Sequence, residues 1–311
     1  MGVSRQLDVK ESTDTATGVA GGRLAIGLVR GLRPSQWSKN ALVAAAPVAA
    51  GALFEPGVAA RTVLAVAVFC VASGATYLLN DARDVAADRL HPTKRFRPVA
   101  DGSVPVPVAY GVGALLLVAS VAAGFLLAPP FGLVVVAYLL LTTAYSFALK
   151  NVPVVDLVAV AAGFVLRAAA GAAATDIPLS EWFMIATSAG ALLLVTAKRE
   201  AELKRVTETG ATSTRAVLAA YTPSFLGSVR SIAAGLVLVA YCLWAFGPGN
   251  ELPAVYAQAS LVPFAVAVLR YTMLADAGVA EKPERLILTD WVTLVAGALW
   301  AAIYGYGIYL S

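Results

Sequence analysis

The sequence predicts an all-α polytopic membrane protein built as a bundle of nine transmembrane helices. Of its 311 residues, 59% are hydrophobic and only 14% are charged, whereas about a quarter of the residues in a typical soluble protein are charged. In addition, nine apolar segments are long enough, or nearly so, to cross a hydrocarbon core about 30 Å thick. These segments are residues 40–56, 59–80, 106–128, 131–149, 153–173, 180–197, 230–248, 253–273 and 288–310.

The chain begins with a polar segment that is not expected to enter the membrane. Residues 1–22 are rich in Ser, Thr, Asp and Gly and lack the apolar stretch of a signal peptide, so a disordered tail is expected there. Residues 23–311 are expected to form a single transmembrane domain. Cys70 and Cys242 both lie in apolar segments, which does not indicate a disulfide framework.

The distribution of basic residues predicts the orientation of the bundle. Of the 23 Lys and Arg residues, all but Arg61 and Arg167 lie in the N-terminal segment or near the loops that follow the second, fourth, sixth and eighth segments. Because cytoplasmic loops carry the excess of Lys and Arg, the N-terminus is expected in the cytoplasm and the C-terminus outside. The opposite connections, such as residues 128–130 and 247–250, are short and almost uncharged. A transporter would usually have polar groups near the midplane and on both sides, so an enzyme that opens to the cytoplasm is favoured and a transporter remains the alternative.

The stretch before the first segment is expected to be a short interfacial helix. Trp37 is a typical interfacial anchor, and Arg33 and Lys39 are of the sign expected on the cytoplasmic side. Gln36, Lys39 and Asn40 are close enough in sequence to reach a site at that face together.

Acidic residues follow the second segment at helical spacing. Asn80, Asp84 and Asp88 lie at i, i+4 and i+8 with Asp81 one step away, so all four would crowd onto one helix face. Oxygen ligands without a neighbouring His or Cys suit Mg²⁺, which commonly uses one or two carboxylates plus phosphate oxygens of a substrate. The alternative is a solvated helix end.

A basic loop comes directly after these acids. Lys94, Arg95 and Arg97 lie between prolines that stiffen the loop, and Arg and Lys are the usual partners of phosphate oxygens. Acids that hold Mg²⁺ beside bases that hold phosphate are expected for a magnesium-bound diphosphate. Alternatively, the loop would only set the membrane topology or bind anionic lipid, with no part in catalysis. His91, the only histidine, is interpreted as a turn residue or a hydrogen-bond donor.

Two charged residues lie inside one apolar segment. Asp156 and Arg167 are too far apart along a helix to pair with each other, so each needs another partner or a wet cavity. Asp156 is expected level with Tyr145 and Lys150 of the preceding helix. Arg167 is expected deeper, where it ties helices together.

A second charged helix end follows the sixth segment. Lys198 and Glu202 are at i, i+4 and Arg199 faces the same side. At this helix end, one carboxylate would bind a metal and two cations would bind phosphate. Alternatively, these side chains only form salt bridges with one another.

The pattern Asn80-Asp81-x-x-Asp84-x-x-x-Asp88 resembles the first aspartate-rich motif of the UbiA superfamily of intramembrane prenyltransferases. Residues 33–40, 91–98 and 198–203 are similar to the branch of that superfamily that transfers phosphoribosyl groups to decaprenyl phosphate. The resemblance covers the chain from about residue 33 onward. The lone Glu202 departs from the second acidic pair of the aromatic prenyltransferases of quinone or haem biosynthesis, which are the closest alternative.

The resemblance implies that phosphoribosyl pyrophosphate is the donor, that a polyprenyl phosphate lipid is the acceptor, and that Mg²⁺ is the cofactor. The product would feed cell-wall arabinan synthesis at a bacterial plasma membrane, catalysed by the domain over 23–311 at its cytoplasmic face. No nucleic-acid partner is implied, and homo-oligomerisation is left open. The metal ligands would be Asn80, Asp81, Asp84 and Asp88, the three acids also being catalytic. The substrate-binding residues would be Gln36, Lys39, Lys94, Arg95, Arg97, Tyr145, Lys150, Asp156, Lys198, Arg199 and Glu202.

Overall fold

The computed structural model describes residues 22–210, 216–247, 252–281 and 283–310. Nearly all of the tail expected over 1–22 therefore lies outside the described residues, as does most of the far-side connection 247–250. Every regular element in the described ranges is helical. The α-helices are α1 (22–31), α2 (Ala45–Ala49), α3 (Val58–Arg83), α4 (Val85–Leu90), α5 (Val106–Leu127), α6 (Pro129–Phe147), α7 (Val155–Thr175), α8 (Glu181–Thr209), α9 (Pro223–Phe246), α10 (Ala254–Asp276), α11 (Pro283–Thr289) and α12 (Trp291–Tyr309).

The prediction of an all-helical membrane protein is confirmed, but nine spans are not. Within the described ranges, 7 helices are long and apolar enough to cross a membrane. They are α3, α5, α6, α7, α9, α10 and α12. The count of nine and the orientation of the termini stay predictions, as does the single domain over 23–311.

The two remaining segments differ from the expected spans for identifiable reasons. Residues 40–56 do not form one α-helix: a 3₁₀ helix, Pro34–Ala44, leads into the short α2. The same 3₁₀ helix stands where a short interfacial helix was expected. The segment 180–197 lies inside α8, which is 29 residues long, and the second half of α8 is charged because it carries the stretch from Lys198 to Arg205.

Proline and capping residues set several helix boundaries. α6 begins at Pro129 and α9 at Pro223, where a missing N–H costs nothing. Thr222 accepts a hydrogen bond from the N–H of Phe225 at the start of α9. α8 ends at Gly210, whose left-handed φ of 62° is readily adopted by glycine.

The contacts divide the chain into two compact units, each described separately. The first unit comprises the chain up to Ala41 together with Val66–Leu139. Its core brings together Leu78 and Ala82 of α3, Val99 and Val104 of the following loop, and Ala109 of α5. The side chain of Phe69 lies against Phe131 and Tyr138, with ring centroids 6.0 and 5.1 Å away. The end of α3 and the loop after it are therefore anchored in a packed core.

The second unit comprises Leu42–Ala65 and Leu140–Ser311. Within it α8 packs against α7 and α9, and α10 packs against α12. Leu157, Val195, Val217, Tyr221 and Leu226 form a buried cluster. α7 also meets the segment that leads into α2, so closely that a Cβ at Gly171 would lie 1.8 Å from the carbonyl oxygen of Val43. Only glycine permits this approach.

Large apolar side chains remain exposed along the candidate spans. Leu115 of α5 is 67% exposed and Leu126 is 88% exposed, and further examples are Leu133, Leu140, Val239, Val262, Leu269 and Leu299. An outer surface of this kind is costly in water and fits a hydrocarbon environment.

Candidate active site

The helix that carries the acidic motif breaks within the motif. α3 ends at Arg83 and α4 begins at Val85, and Asp84 between them has φ −90° and ψ 9°. The expectation that Asn80, Asp81, Asp84 and Asp88 lie on one continuous helix is therefore wrong. Among the residues that the structure describes, no three His, Cys, Asp or Glu side chains converge as a metal-binding group.

Two of the acids are buried and share an arginine. The side chains of Asp81 and Asp88 are only 2% and 5% exposed. The guanidinium Nη1 of Arg97 donates to Asp81 Oδ1 at 3.1 Å and to Asp88 Oδ2 at 2.7 Å. The Nη2 of Arg33 donates to the same Asp81 Oδ1 at 2.6 Å, while Asp81 Oδ2 is buried without a hydrogen-bond partner. The basic loop thus folds back onto the acids, with Arg97 as the link.

The third acid occupies a different environment. Asp84 is 41% exposed and pairs with its neighbour Arg83, whose Nε and Nη2 lie 2.8 and 3.2 Å from the two carboxylate oxygens. Asn80, one turn earlier, is half-buried. The break at Asp84 is what turns this carboxylate towards Arg83.

The rest of the basic loop is arranged by His91 and by an aromatic contact. The Nδ1 of His91 accepts hydrogen bonds from the backbone N–H groups of Thr93 and Lys94 at 3.2 and 3.3 Å, so the histidine closes a turn as interpreted from sequence. The half-buried Lys94 has no side-chain hydrogen bond or ion pair to any described residue. Arg95 is exposed, with its guanidinium 4.8 Å from the ring centroid of Phe96.

The polar residues of the 3₁₀ helix Pro34–Ala44 are engaged locally. The ammonium group of Lys39 donates to Gln36 Oε1 at 2.7 Å. Asn40 is 1% exposed, and its amide nitrogen donates to Ser73 Oγ at 3.3 Å. Asn40 therefore ties this segment to α3, and Gln36 and Lys39 form a pair of their own.

A second polar cluster lies in the second unit, around Asp156 at the start of α7. Asp156 is completely buried. Arg199 of α8 donates from Nε to Asp156 Oδ2 at 3.0 Å, and the hydroxyl of Tyr221 donates to Asp156 Oδ1. The sequence argument that Asp156 needs a partner other than Arg167 is borne out, and the partner is Arg199.

Tyr221 also holds the backbone that leads into α7. Its hydroxyl oxygen accepts a hydrogen bond from the N–H of Val154 at 2.6 Å, and Val154 has a left-handed φ of 68°, which is rare for a β-branched residue. Burial and the hydrogen bond to Asp156 raise the pKa of Tyr221 to about 12. The hydroxyl therefore keeps its proton at neutral pH.

Arg199 links this cluster to the charged end of α8. Its Nη1 donates to Glu202 Oε2 at 3.1 Å and its Nη2 to the hydroxyl of Tyr145 at 3.4 Å. The expected proximity of Arg199 and Glu202 is confirmed, and the salt bridge between them is formed. Lys198 and Lys150 are half-buried and make no side-chain hydrogen bond or ion pair with another described residue.

Arg167 lies deeper in α7, as expected. It is 7% exposed, and its Nη1 donates to the carbonyl oxygen of Gly163 one turn earlier at 2.8 Å. Its guanidinium also lies 5.8 Å from the ring centroid of Phe164.

Three residues important to these clusters were not singled out as site residues from sequence: Arg33, Arg83 and Tyr221. Arg33 was expected only as a cytoplasmic-side charge. Its position directly before Pro34 was a usable signal, because a residue before proline is restricted in conformation. Nothing local to Tyr221 indicated that it would reach a carboxylate 65 positions away.

Comparison with known proteins identifies the family of this chain. The sequence matches the UbiA prenyltransferase family over residues 41–294. The chain belongs to the UbiA prenyltransferase family.

Curated relatives within this family match the chain along nearly its whole length. It is 41% identical over 319 residues to "Decaprenyl-phosphate phosphoribosyltransferase" of Mycolicibacterium smegmatis, covering 98% of this chain and 100% of that protein. It is 42% identical over 289 residues to the protein of the same name from Mycobacterium tuberculosis strain H37Rv, covering 92% and 95%.

Solved structures support the UbiA-type fold. A UbiA homolog from Archaeoglobus fulgidus bound to GPP and Mg²⁺ matches with a TM-score of 0.62 at 18% identity, covering 91% of this chain and 99% of that one. This likeness shows the all-helical UbiA-type fold. The multi-pass membrane character is supported by the family match and by the seven long apolar helices of the described ranges.

Proposed function

We propose that this UbiA-family protein transfers 5-phosphoribosyl from phosphoribosyl pyrophosphate to decaprenyl phosphate, releasing pyrophosphate, for synthesis of cell-wall arabinan precursors. The observation that carries the proposal is the 41% identity to a decaprenyl-phosphate phosphoribosyltransferase over 98% of this chain and 100% of that protein. The donor is soluble and highly anionic while the acceptor is a lipid phosphate. A membrane protein with basic and acidic side chains gathered at helix ends suits both.

The buried acids of the first unit fit a magnesium ion. Arg97 holds Asp81 and Asp88 within reach of a single guanidinium nitrogen, and Asp81 Oδ2 has no hydrogen-bond partner. Mg²⁺ needs only one or two carboxylates when substrate phosphates supply further oxygens, so the failure of three acids to converge is no obstacle. Asp81 and Asp88 would hold the ion, with Asp84 and Asn80 as further oxygen donors. Bound there, Mg²⁺ would neutralise charge that develops on the leaving pyrophosphate.

Phosphate groups of the donor would be bound by cations with unused hydrogen-bond donors. Lys94 of the first unit has such capacity. Lys198 and Lys150 of the second unit have it too and are each proposed as a phosphate-binding residue. An ammonium group binds phosphate as a compact point charge. Arg95, Gln36 and Lys39 are proposed as weaker contributors, because the first is exposed and the other two already pair with each other.

The reaction requires no general base in this proposal. The bond between the anomeric carbon and the pyrophosphate oxygen breaks, and a new bond forms from an oxygen of the lipid phosphate to that carbon. A phosphate anion is already nucleophilic, and the protein's role is to bind and orient the two substrates and to stabilise charge on the leaving group. This fits a chain whose only histidine closes a turn.

The cluster of the second unit is proposed to position substrate-binding groups. Asp156 and Tyr221 fix the guanidinium plane of Arg199, which in turn orients Glu202 and Tyr145. Because Arg199 is almost fully buried and engaged by three partners, it would act on a substrate phosphate through the end of α8 that it holds rather than by direct contact.

The cytoplasmic active face, the outside C-terminus and the nine crossings are part of the same proposal, at a bacterial plasma membrane. They are supported by the concentration of Lys and Arg in alternate loops. The segment 40–56, which holds the end of the 3₁₀ helix and α2, and the first half of α8 would supply the two crossings beyond the seven long apolar helices.

The test uses purified protein in detergent with Mg²⁺, radiolabelled phosphoribosyl pyrophosphate and decaprenyl phosphate. Label should enter the organic phase and should fail to do so with EDTA. Asp81→Asn should abolish transfer while the protein keeps its elution profile, and Asp101→Asn, which changes an exposed acid of the loop before α5, should keep activity. If no label moves while a prenyl diphosphate alkylates an aromatic acid, the family assignment stands and the proposed reaction is wrong.

A further inference from the structure

The three carboxylates of the acidic motif form ion pairs with three arginines in total. Asp84 pairs with Arg83, while Asp81 and Asp88 are joined to Arg33 and Arg97. Within the described ranges no other cationic side chain pairs with Asp81 or Asp88. The buried part of the motif therefore carries two negative and two positive charges.

This balance has a consequence for how a cation enters. A bare divalent ion gains little attraction from a neutral cluster, and displacing a guanidinium from a buried carboxylate leaves the charge of that carboxylate uncompensated. A metal–diphosphate complex has both signs of charge. Its metal satisfies the carboxylates while its phosphate oxygens satisfy the arginines, whose guanidinium groups are well suited to phosphate oxygens.

We propose that the Arg33–Asp81–Arg97–Asp88 cluster is a partner-exchange device that admits the metal only together with the donor's diphosphate. On binding, the two guanidinium groups move from carboxylate to phosphate oxygens, and Asp81 and Asp88 become available to the metal. The inference rests on the proposed function and adds an order of binding to it. No bond is made or broken in this step.

Arg33 is the arginine of this cluster that we expect to change its partner first. Its backbone has a left-handed φ of 54°, unfavourable for a residue with a side chain, and it precedes a proline. The only contacts of its guanidinium among the described residues are the ion pair with Asp81 and the face of Tyr77, 4.7 Å from the ring centroid. The side chain is 27% exposed, so a phosphate can reach it.

The experiment measures two affinities on full-length protein in detergent. Mn²⁺ alone is titrated and followed by electron paramagnetic resonance, and radiolabelled phosphoribosyl pyrophosphate binding is measured with saturating Mg²⁺. Removing one guanidinium leaves the buried cluster with net negative charge. Arg33→Gln should therefore bind Mn²⁺ alone at least about fivefold more tightly and bind the donor at least about fivefold more weakly, the lower range of typical coupling between sites.

Two controls separate charge from folding. Arg33→Lys keeps the charge and should leave the Mn²⁺ affinity within about twofold of wild type, well inside the coupling range. Arg30→Gln removes an exposed arginine of α1 that donates to the carbonyl oxygen of Phe96 at 3.4 Å, and should change neither affinity.

The opposite signs of the two shifts are decisive. If Arg33→Gln weakens both affinities, or leaves both unchanged, the exchange is refuted, because a merely structural role predicts that outcome. Repeating the titrations with inorganic pyrophosphate separates this inference from the proposed reaction. Opposite shifts with pyrophosphate in a protein that transfers no phosphoribosyl group would overturn the reaction and leave the exchange standing.

Discussion

Removing the hydroxyl group of Tyr221 tests how much the buried hydrogen bonds of the second unit contribute to stability. It donates to the completely buried Asp156 and accepts from the N–H of Val154. Tyr221→Phe keeps the ring, which stacks on Phe225 with centroids 5.9 Å apart, so packing is retained and only hydrogen bonds are lost.

The expected loss of stability follows from these two bonds. A hydrogen bond to a charged group contributes about 1.5–3 kcal/mol and a neutral one about 1 kcal/mol, and both partners of Tyr221 would be left buried. The variant should therefore lose about 3 kcal/mol. At about 2 °C per kcal/mol for a chain of this size, its Tm should fall by about 6 °C.

Thermal unfolding in detergent at constant protein concentration measures this loss. Because the pKa of Tyr221 is raised to about 12, the hydroxyl is protonated throughout the accessible range, and the loss should be equal at pH 6 and pH 9. Tyr306→Phe, at a ring that is 51% exposed, should leave Tm unchanged. A Tm for Tyr221→Phe within about 1 °C of wild type, which corresponds to less than about 0.5 kcal/mol, would refute the reasoning.

Three further predictions concern other parts of the chain. Lys94→Gln should raise the donor KM about tenfold with little change in kcat, because it removes a cation that binds phosphate equally in ground and transition states; steady-state transfer assays measure this. The pKa of Asp290 is lowered, first by its hydrogen bond from the arginine of α10 and then by the N–H at the start of α12, so its contribution to stability is complete above about pH 4 and is lost as pH falls below that. Asp290→Asn should remove that part of the acid dependence of Tm. Gly171→Ala should destabilise by at least about 1–3 kcal/mol, because the new Cβ would lie 1.8 Å from a carbonyl oxygen, and unfolding Tm measures this loss.

Each of these has a matched control. Arg61→Gln removes a cation predicted on the opposite face and should not alter the donor KM; an unchanged KM in Lys94→Gln as well would assign the basic loop to topology alone. An acid-induced loss of Tm identical in wild type and Asp290→Asn would contradict the assignment of that loss. Gly163→Ala, on the same helix with 3.7 Å to its nearest neighbour, should be tolerated, and equal stability of the two alanine variants would contradict the close approach at Gly171.

Composition and motif spacing alone predicted the membrane class, most of the long helices and the family of this protein. The apolar segments located the seven long helices to within a few residues at most ends, because a membrane requires long apolar runs with internally satisfied backbones. The spacing of Asn80, Asp81, Asp84 and Asp88 and the basic loop after them identified the family and the residue types of the site. These are local properties, so sequence reveals them directly.

The sequence predicted which side chains pair only where the two residues are a few positions apart. Arg199 and Glu202 pair as their i, i+3 spacing predicts. The helix breaks at Asp84 although the helical spacing continues to Asp88, and the first segment forms a 3₁₀ helix followed by the short α2 in place of one continuous α-helix. The periodic pattern of residue types encodes neither of these backbone conformations.

The sequence by itself determined the helical membrane class, the family and the set of charged residues available for chemistry. Only the tertiary structure decided which charges are buried and which neutralise one another. Arg33 reaches Asp81 across 48 positions and Tyr221 reaches Asp156 across 65. The physical reason is that a buried charge must find a partner of opposite sign or a hydrogen bond, and which one it finds depends on chain segments that are distant in sequence and brought together by folding.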